Sequence, residues 1–457
     1  MSDLPNVPLD GSFAPPEPAV SRKPWSRLPA TAVTTGFILG AGFLSGVIVA
    51  RSLGASGRGD WMRSYLTVTV VSWIGTLGVD DALPVLGVRR PGATVMRASR
   101  ILYLLLGPAT ALAAAVVLVI GRHPLPVALV VAAYIPAYFL HRLTNGALLL
   151  SGQQLRWNVS RALAPASYTL ALALLMFTDS ASVVHTLYAF TGAEAVAALC
   201  SAMLTPKAVR PRLFGRSPIE AEEGEEACSA SALLSFGVRL HLGGIFTIIN
   251  WRVDQLLMTR IAPTRDLGLY TLGSSLSYLP TAVGAGEAES ATSQLAAARS
   301  VGELRRGVRR LYGRIVLWGG IALVVLGAAA PLLIPVVYGS DFRGAVPATE
   351  ILLLGSAGLL AGLPAVAGLR AARRPTAVAV SEGVTAVFAI ALVPPVFASW
   401  GIVGAAWLST TLYSVKSVAQ IVLLARVRRD PRTLTTVDAD DNAPVDGSRP
   451  SLTTAEA

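Results

Sequence analysis

Apolar residues along this 457-residue chain fall into about twelve runs separated by short polar stretches. The runs cover 30–50, 61–87, 99–120, 124–150, 157–178, 182–204, 231–259, 266–286, 311–338, 345–369, 375–398 and 401–425. Each is near the roughly 20 residues that a helix needs to cross a bilayer. The pattern predicts an all-α, polytopic membrane protein. Residues 205–230 divide the runs six and six, as a cytoplasmic linker between an N-lobe (30–204) and a C-lobe (231–425) would. The polar stretches 1–29 and 426–457 read as disordered cytoplasmic tails.

Basic residues sharpen this picture by alternating between successive connections. With a cytoplasmic N-terminus, the inner connections hold Arg22, Lys23 and Arg27, then Arg89, Arg90, Arg97 and Arg100. Later ones carry the run Arg299, Arg305, Arg306, Arg309, Arg310 and Arg314, then Arg370, Arg373 and Arg374. The outer connections hold only Arg51, Arg58, Arg63, Arg122, Arg260, Arg265 and Arg343, so the balance is roughly 26 against 7. That bias predicts both termini in the cytoplasm and a place in the cell inner membrane.

Only 14% of residues are charged and 53% are hydrophobic, where a soluble domain carries about 25% charge. The mean hydropathy is +0.58. The net charge of +11 sits in short loops beside apolar runs, where it would face anionic headgroups rather than nucleic acid. Cys200 and Cys228 lie near the inner half and show no metal-ligand spacing. The first apolar run is longer than a signal-peptide core, so no cleaved leader is expected.

The two halves share a weak internal repeat. Arg51-Ser-Leu-Gly-Ala-Ser-Gly-Arg-Gly59-Asp-Trp61 lines up with Arg260-Ile-Ala-Pro-Thr-Arg-Asp-Leu-Gly268-Leu-Tyr270 at an offset of 209. The same offset sets Asp80 opposite Glu289. An offset over six spans preserves orientation, so the repeat is a parallel one, an arrangement transporters use with the substrate path between the halves.

At these residues the sequence resembles the bacterial oligosaccharide flippases of the multidrug/oligosaccharidyl-lipid/polysaccharide exporter superfamily. Arg51 to Asp60 is similar to that family's first outer loop, and Ser235 to Gly244 with Asn250-Trp-Arg-Val-Asp254 is similar to its seventh span. Gly268-Leu-Tyr270, Tyr338-Gly-Ser-Asp-Phe342, Ala345-Val-Pro347 and Gly401 to Ala406 resemble the starts of later spans. The resemblance implies two six-helix lobes around a central cavity, working by alternating access. It implies a polyprenyl-diphosphate-linked glycan as cargo, with membrane lipid, and a glycan polymerase or glycosyltransferases as partner proteins. The related drug exporters are the alternative within the superfamily.

Charges inside the spans are the candidate site, because ionisable groups at membrane depth face a bundle interior. On the seventh run, Arg239, Asn250 and Asp254 fall within about 60° on one helical face, with His241 and Arg252 roughly opposite. Arg142, Arg239 and Arg252 are candidate diphosphate ligands, since a guanidinium forks onto phosphate oxygens and stays charged. His241, Asn250 and Asp254 complete the candidate binding set. Arg252 could instead pair with Asp254. Asp80, Glu194 and Glu289 are candidates for ion coupling, and Glu382 and Lys416 for a structural ion pair at similar depth. Gly36, Gly40, Gly42 and Gly46 read as sites of close helix packing.

No cofactor or metal site is expected: the chain has no Walker sequence, zinc-protease helix or nucleophile elbow, and its four His are scattered. A membrane-embedded glycosyltransferase or polysaccharide ligase would carry a large outer loop, and every predicted outer connection here is short. A transporter is therefore the expected class, ahead of an enzyme or a scaffold for glycan assembly.

Overall fold

A computed structural model of the chain describes residues 28–89, 92–121, 123–206, 228–296, 301–372 and 374–427. Among these residues the structure is helical, with no strand. The first half holds α1 (Leu28–Gly75), α2 (Val79–Arg89), α3 (Gly92–Ile120), α4 (Leu125–Ala132), α5 (Tyr134–Leu150), α6 (Gln154–Phe177) and α7 (Val183–Leu204). The second holds α8 (Ala230–Ile261), α9 (Thr264–Ala296), α10 (Val301–Leu333), α11 (Val346–Ala371) and α12 (Pro375–Val427). A π-helical turn, Ile334–Tyr338, and a 3-10 turn, Ser340–Ala345, join α10 to α11. Among the described residues, eight helices are long and apolar enough to cross a membrane. Leu170, Phe177, Val324 and Leu332 stand exposed on such helices, as a lipid-facing surface requires. The all-α, multi-pass expectation is borne out. The expected tails and linker fall almost wholly outside the described residues.

Two of these helices are hairpins broken at a single glycine. α1 runs 48 residues, which unbroken would span about 70 Å, more than twice the apolar core of a bilayer. At Gly54 the backbone takes φ 65°, ψ −175°, a conformation that a residue with a Cβ rarely adopts. The chain folds back there: Arg58 Nη1 donates to the Gly46 carbonyl at 3.0 Å, twelve residues that a straight helix would hold about 18 Å apart. Gly401 (φ 58°, ψ −149°) breaks the 53-residue α12 in the same way. The predicted loop between 50 and 61 is therefore a correction. It is helical on both sides of one residue, and Arg51 and Arg58 sit on helices. Arg51 is spent on the Val336 and Val337 carbonyls of the π turn.

The run predicted as 61–87 also ends early. Leu77 (φ 48°) and Gly78 (φ 71°) form a turn, and α2 starts afresh at Val79 with Asp80 and Asp81 in its first turn. Carboxylates suit that position, where the helix dipole and free N–H groups favour negative charge. In the connection before α4, burial and the nearby Arg63 guanidinium push the His123 imidazole below its ordinary range.

The apolar core does not divide where the linker does. Its largest cluster runs from Val49, Leu66 and Ile135 of the first half into Leu233, Met258, Tyr270 and Leu352 of the second. A second cluster, around Val308, Leu311, Ile315 and Leu369, is built from the second half.

The repeated glycines mark where the halves touch. A Cβ on Gly59 would lie 1.7 Å from the Thr264 carbonyl oxygen, and one on Gly268 would lie 1.9 Å from that of Ala55. The offset of 209 carries 55 to 264 and 59 to 268, so the two contacts are mates under one local two-fold relation. Small residues four apart, Ala55 with Gly59 and Thr264 with Gly268, let the backbones meet. Gly36, Gly40 and Gly42 do not share this role: a Cβ there would meet nothing within 4 Å. The packing expected of them is thus corrected, because their face of α1 opens outward or onto the cavity.

Candidate functional site

A cavity of about 590 Å3 lies between the halves, walled by both arms of α1, by α6, α7, α8 and α9, and by Tyr338. Its volume falls within the usual range for ligand sites. Phe43, Trp61, Tyr65, Tyr168, Phe190 and Tyr278 supply aromatic wall, and the charged residues on it are Arg58, Glu194 and Arg252.

Each charge reaches the wall by a local cause. Arg58 lies one turn past the Gly54 break, and the reversal turns its guanidinium back onto Gly46. It is 4% exposed, its Nε has no hydrogen-bond partner, and among the described residues no carboxylate lies in ion-pair range of it. A buried charge left so is costly unless something pairs with it. Arg252 donates to Gln255 Oε1 at 3.1 Å, and Gln255 is itself held by Ser274 Oγ at 2.8 Å. Glu194 is buried at the wall, with Oε1 2.7 Å from His141 Nδ1.

The seventh-run residues separate. Arg252 faces the cavity, but it does not take Asp254 as its partner: residues two apart point to different sides of a helix. Asp254 is buried away from it, accepting from Tyr270 Oη at 2.5 Å, Ser409 Oγ at 3.1 Å and the Gln255 amide at 2.7 Å. Asn250 is also buried, and its Nδ2 donates to the Glu382 carbonyl at 3.0 Å. Arg239 is exposed and donates to the carbonyl of Ser235 on its own helix at 3.1 Å. It shares a helical face with Asn250 yet not a neighbourhood, because eleven residues separate them by about 16 Å along the axis. His241 packs against Trp73, ring centroids 4.1 Å apart and planes tilted by 37°, with Nδ1 3.8 Å from Asp81 Oδ2.

Two residues given different roles from sequence are partners. Arg142 Nη2 lies 3.1 Å from Asp80 Oδ2, and Arg142 Nε donates to Tyr138 Oη at 3.0 Å. The guanidinium is compensated by the carboxylate, and neither lines the cavity. Lys416 Nζ donates to Glu382 Oε2 at 3.0 Å, both buried. Gln420 and Asn250 add donors to the same carboxylate. The pair lines a smaller cavity of about 250 Å3 in the second half, beside Trp251. The side chain of Glu289 lies outside the described residues. Sequence reasoning missed Arg58, counted with the outer loops, and His141, counted among scattered histidines. Nothing local links His141 to Glu194, 53 residues on.

Residues 153–347 match the model of a family described as polysaccharide biosynthesis protein. The fold is that of solved membrane transporters. An inward-facing multidrug-resistance MATE transporter of the MOP superfamily aligns over 89% of this chain and 99% of its own, with a TM-score of 0.65 at 15% identity. The lipid II flippase MurJ, in an inward closed conformation, aligns over 90% and 92%, with a TM-score of 0.67 at 11% identity. The family match covers less than half of the chain, and the likeness to the solved structures is one of fold. A MATE transporter from Vibrio cholerae shares the same fold, at 13% identity over 89% of this chain and 99% of that one, with a TM-score of 0.55. No curated protein sequence matches. The chain is thus a multi-pass helical membrane protein that shares its fold with those transporters.

Proposed function

We propose that this protein flips a polyprenyl-diphosphate-linked oligosaccharide from the inner to the outer leaflet by alternating access of the central cavity. One observation carries the reading. Arg58 and Arg252 converge from the two halves on a cavity whose remaining wall is largely aromatic and apolar. Two guanidiniums in a poorly solvated site suit a diphosphate, which offers paired oxygens to each fork. Aromatic faces suit the apolar faces of sugar rings. In this reading 30–204 and 231–425 are the two lobes, the Gly59–Gly268 crossing is their contact, and both termini are cytoplasmic. Arg142 and Arg239 act outside the cavity, as interfacial or lobe-bracing charges.

A specific observation also favours the drug-exporter alternative: Glu194 and the aromatic walls would suit a lipophilic cation. The two readings part in reconstituted vesicles. Fluorescent polyprenyl diphosphate sugars loaded in one leaflet should become accessible in the other only where the protein is present. Efflux of small organic cations, with no movement of any lipid-linked sugar, would replace the proposal with the exporter reading.

A further inference from the structure

We propose that His141 and Glu194 form a one-proton site in the cavity wall, and that its proton and an anion in the cavity favour each other. The linkage rests on the cavity's reading as an anion site; the proton site does not.

The geometry around the imidazole defines two closed hydrogen-bond patterns. At 2.7 Å, Glu194 Oε1 and His141 Nδ1 need a proton between them, because two lone pairs would repel. On the other side, His141 Nε2 lies 3.2 Å from the Ser160 carbonyl oxygen, which only accepts. It also lies 3.3 Å from Ser160 Oγ, which can donate or accept. Ser160 Oγ in turn contacts the Ser201 hydroxyl. In one pattern Nε2 is bare, the Ser160 hydroxyl donates to it, and Ser201 donates to Ser160. The pair then carries one negative charge. In the other, a proton from water occupies Nε2 and is donated to the Ser160 carbonyl, while the Ser160 hydroxyl turns to Ser201. The pair is then neutral overall. One proton and two hydroxyl rotations separate the states, and the imidazole nitrogens and the Ser160 hydroxyl are partnered in both. Histidine is the side chain whose ordinary range allows that exchange near neutral pH.

The surrounding charges make the proton matter to the cavity. On the same helix as His141, Arg142 is held by Asp80. On α6, Arg161 stacks over Trp157 at 4.5 Å. Arg58 of α1 and Arg252 of α8 share the cavity with Glu194. The other titratable side chains facing this region are the phenols of Tyr65, Tyr134, Tyr138 and Tyr168. With the pair negative, its charge on the shared wall opposes the entry of an anion. With the pair neutral, that repulsion is gone and the two guanidiniums alone set the field the anion meets. Linkage makes the effect reciprocal, so anion binding takes up a proton.

Two measurements on the full-length protein in detergent test this. The first is calorimetric titration with farnesyl diphosphate between about pH 5.5 and 8.5, the window of histidine exchange. Wild-type affinity should fall about tenfold as pH rises, with proton uptake read from the dependence of the heat on buffer. Glu194→Gln should bind as tightly as wild type at low pH and lose that slope, once the ligand's own titration, common to both proteins, is removed. Equal slopes in the two proteins would overturn the linkage. The second uses 15N-histidine NMR on ligand-free protein. The signal lost in His141→Gln should titrate in this window and shift in Glu194→Gln. A signal fixed in one state throughout would overturn the proton site. If farnesyl diphosphate binds at no pH while His141 still titrates, the anion reading and the linkage fall together and the proton site stands.

Discussion

At the scale of single residues, the structure separates charges that are already satisfied from charges that await a partner. Glu382 is surrounded by Lys416, Asn250 and Gln420. Removing Lys416 leaves a buried carboxylate without its counter-charge, and breaking such pairs costs about 3–5 kcal/mol. Lys416→Ala should therefore lower the thermal unfolding temperature of detergent-solubilised protein sharply. Glu382→Gln combined with Lys416→Met should recover most of the loss, because no buried charge remains. Arg58 is the opposite case. Its carbonyl contact leaves the charge uncompensated, so Arg58→Gln should not destabilise the fold and should weaken anion binding instead. A measured loss of stability comparable to that of Lys416→Ala would assign Arg58 to structure.

At the scale of elements, glycines decide what the helices can do, and they do so in different ways. Gly59→Ala or Gly268→Ala places a methyl group inside a backbone carbonyl contact. Overpacking of this kind costs about 1–3 kcal/mol, at times more. Both clashes lie at one crossing, so the double variant should cost less than the sum of the singles. Gly36→Ala, where the space is open, should be neutral or slightly stabilising from helix propensity. Thermal unfolding of the four variants checks the set. Much at this scale was legible from sequence. The apolar runs mark the spans, and the repeat Arg51–Trp61 against Arg260–Tyr270 marks the place where the halves meet. The hairpin breaks were not legible, because a helix interrupted by one glycine and a helix followed by a ten-residue loop share the same hydropathy. For the same reason Asp80 and Asp81 read as the end of a span, whereas they open a new helix.

At the scale of the whole molecule, the cavity belongs to neither half alone, and this is why its residues were only partly legible. Helical periodicity grouped Arg239 with Asn250 and Asp254, and angle alone cannot say what stands opposite each residue along 32 residues of α8. The fold assigns Asn250 to the Glu382–Lys416 pair, Asp254 to Tyr270 and Ser409, and Arg252 to the cavity. The partnerships Arg142–Asp80 and His141–Glu194 join residues far apart in sequence, which one chain read by itself does not disclose. Residues 153–347 match a polysaccharide-biosynthesis family model and the fold is that of solved transporters; the cargo is proposed from the cavity charges. The most direct measurement of that proposal is leaflet exchange of a fluorescent polyprenyl diphosphate sugar in vesicles carrying wild type, Arg58→Gln, Arg252→Gln or Arg239→Gln at equal density. Exchange should be lost in the first two variants and kept in Arg239→Gln. Exchange that survives in both cavity variants and fails in Arg239→Gln would contradict the account.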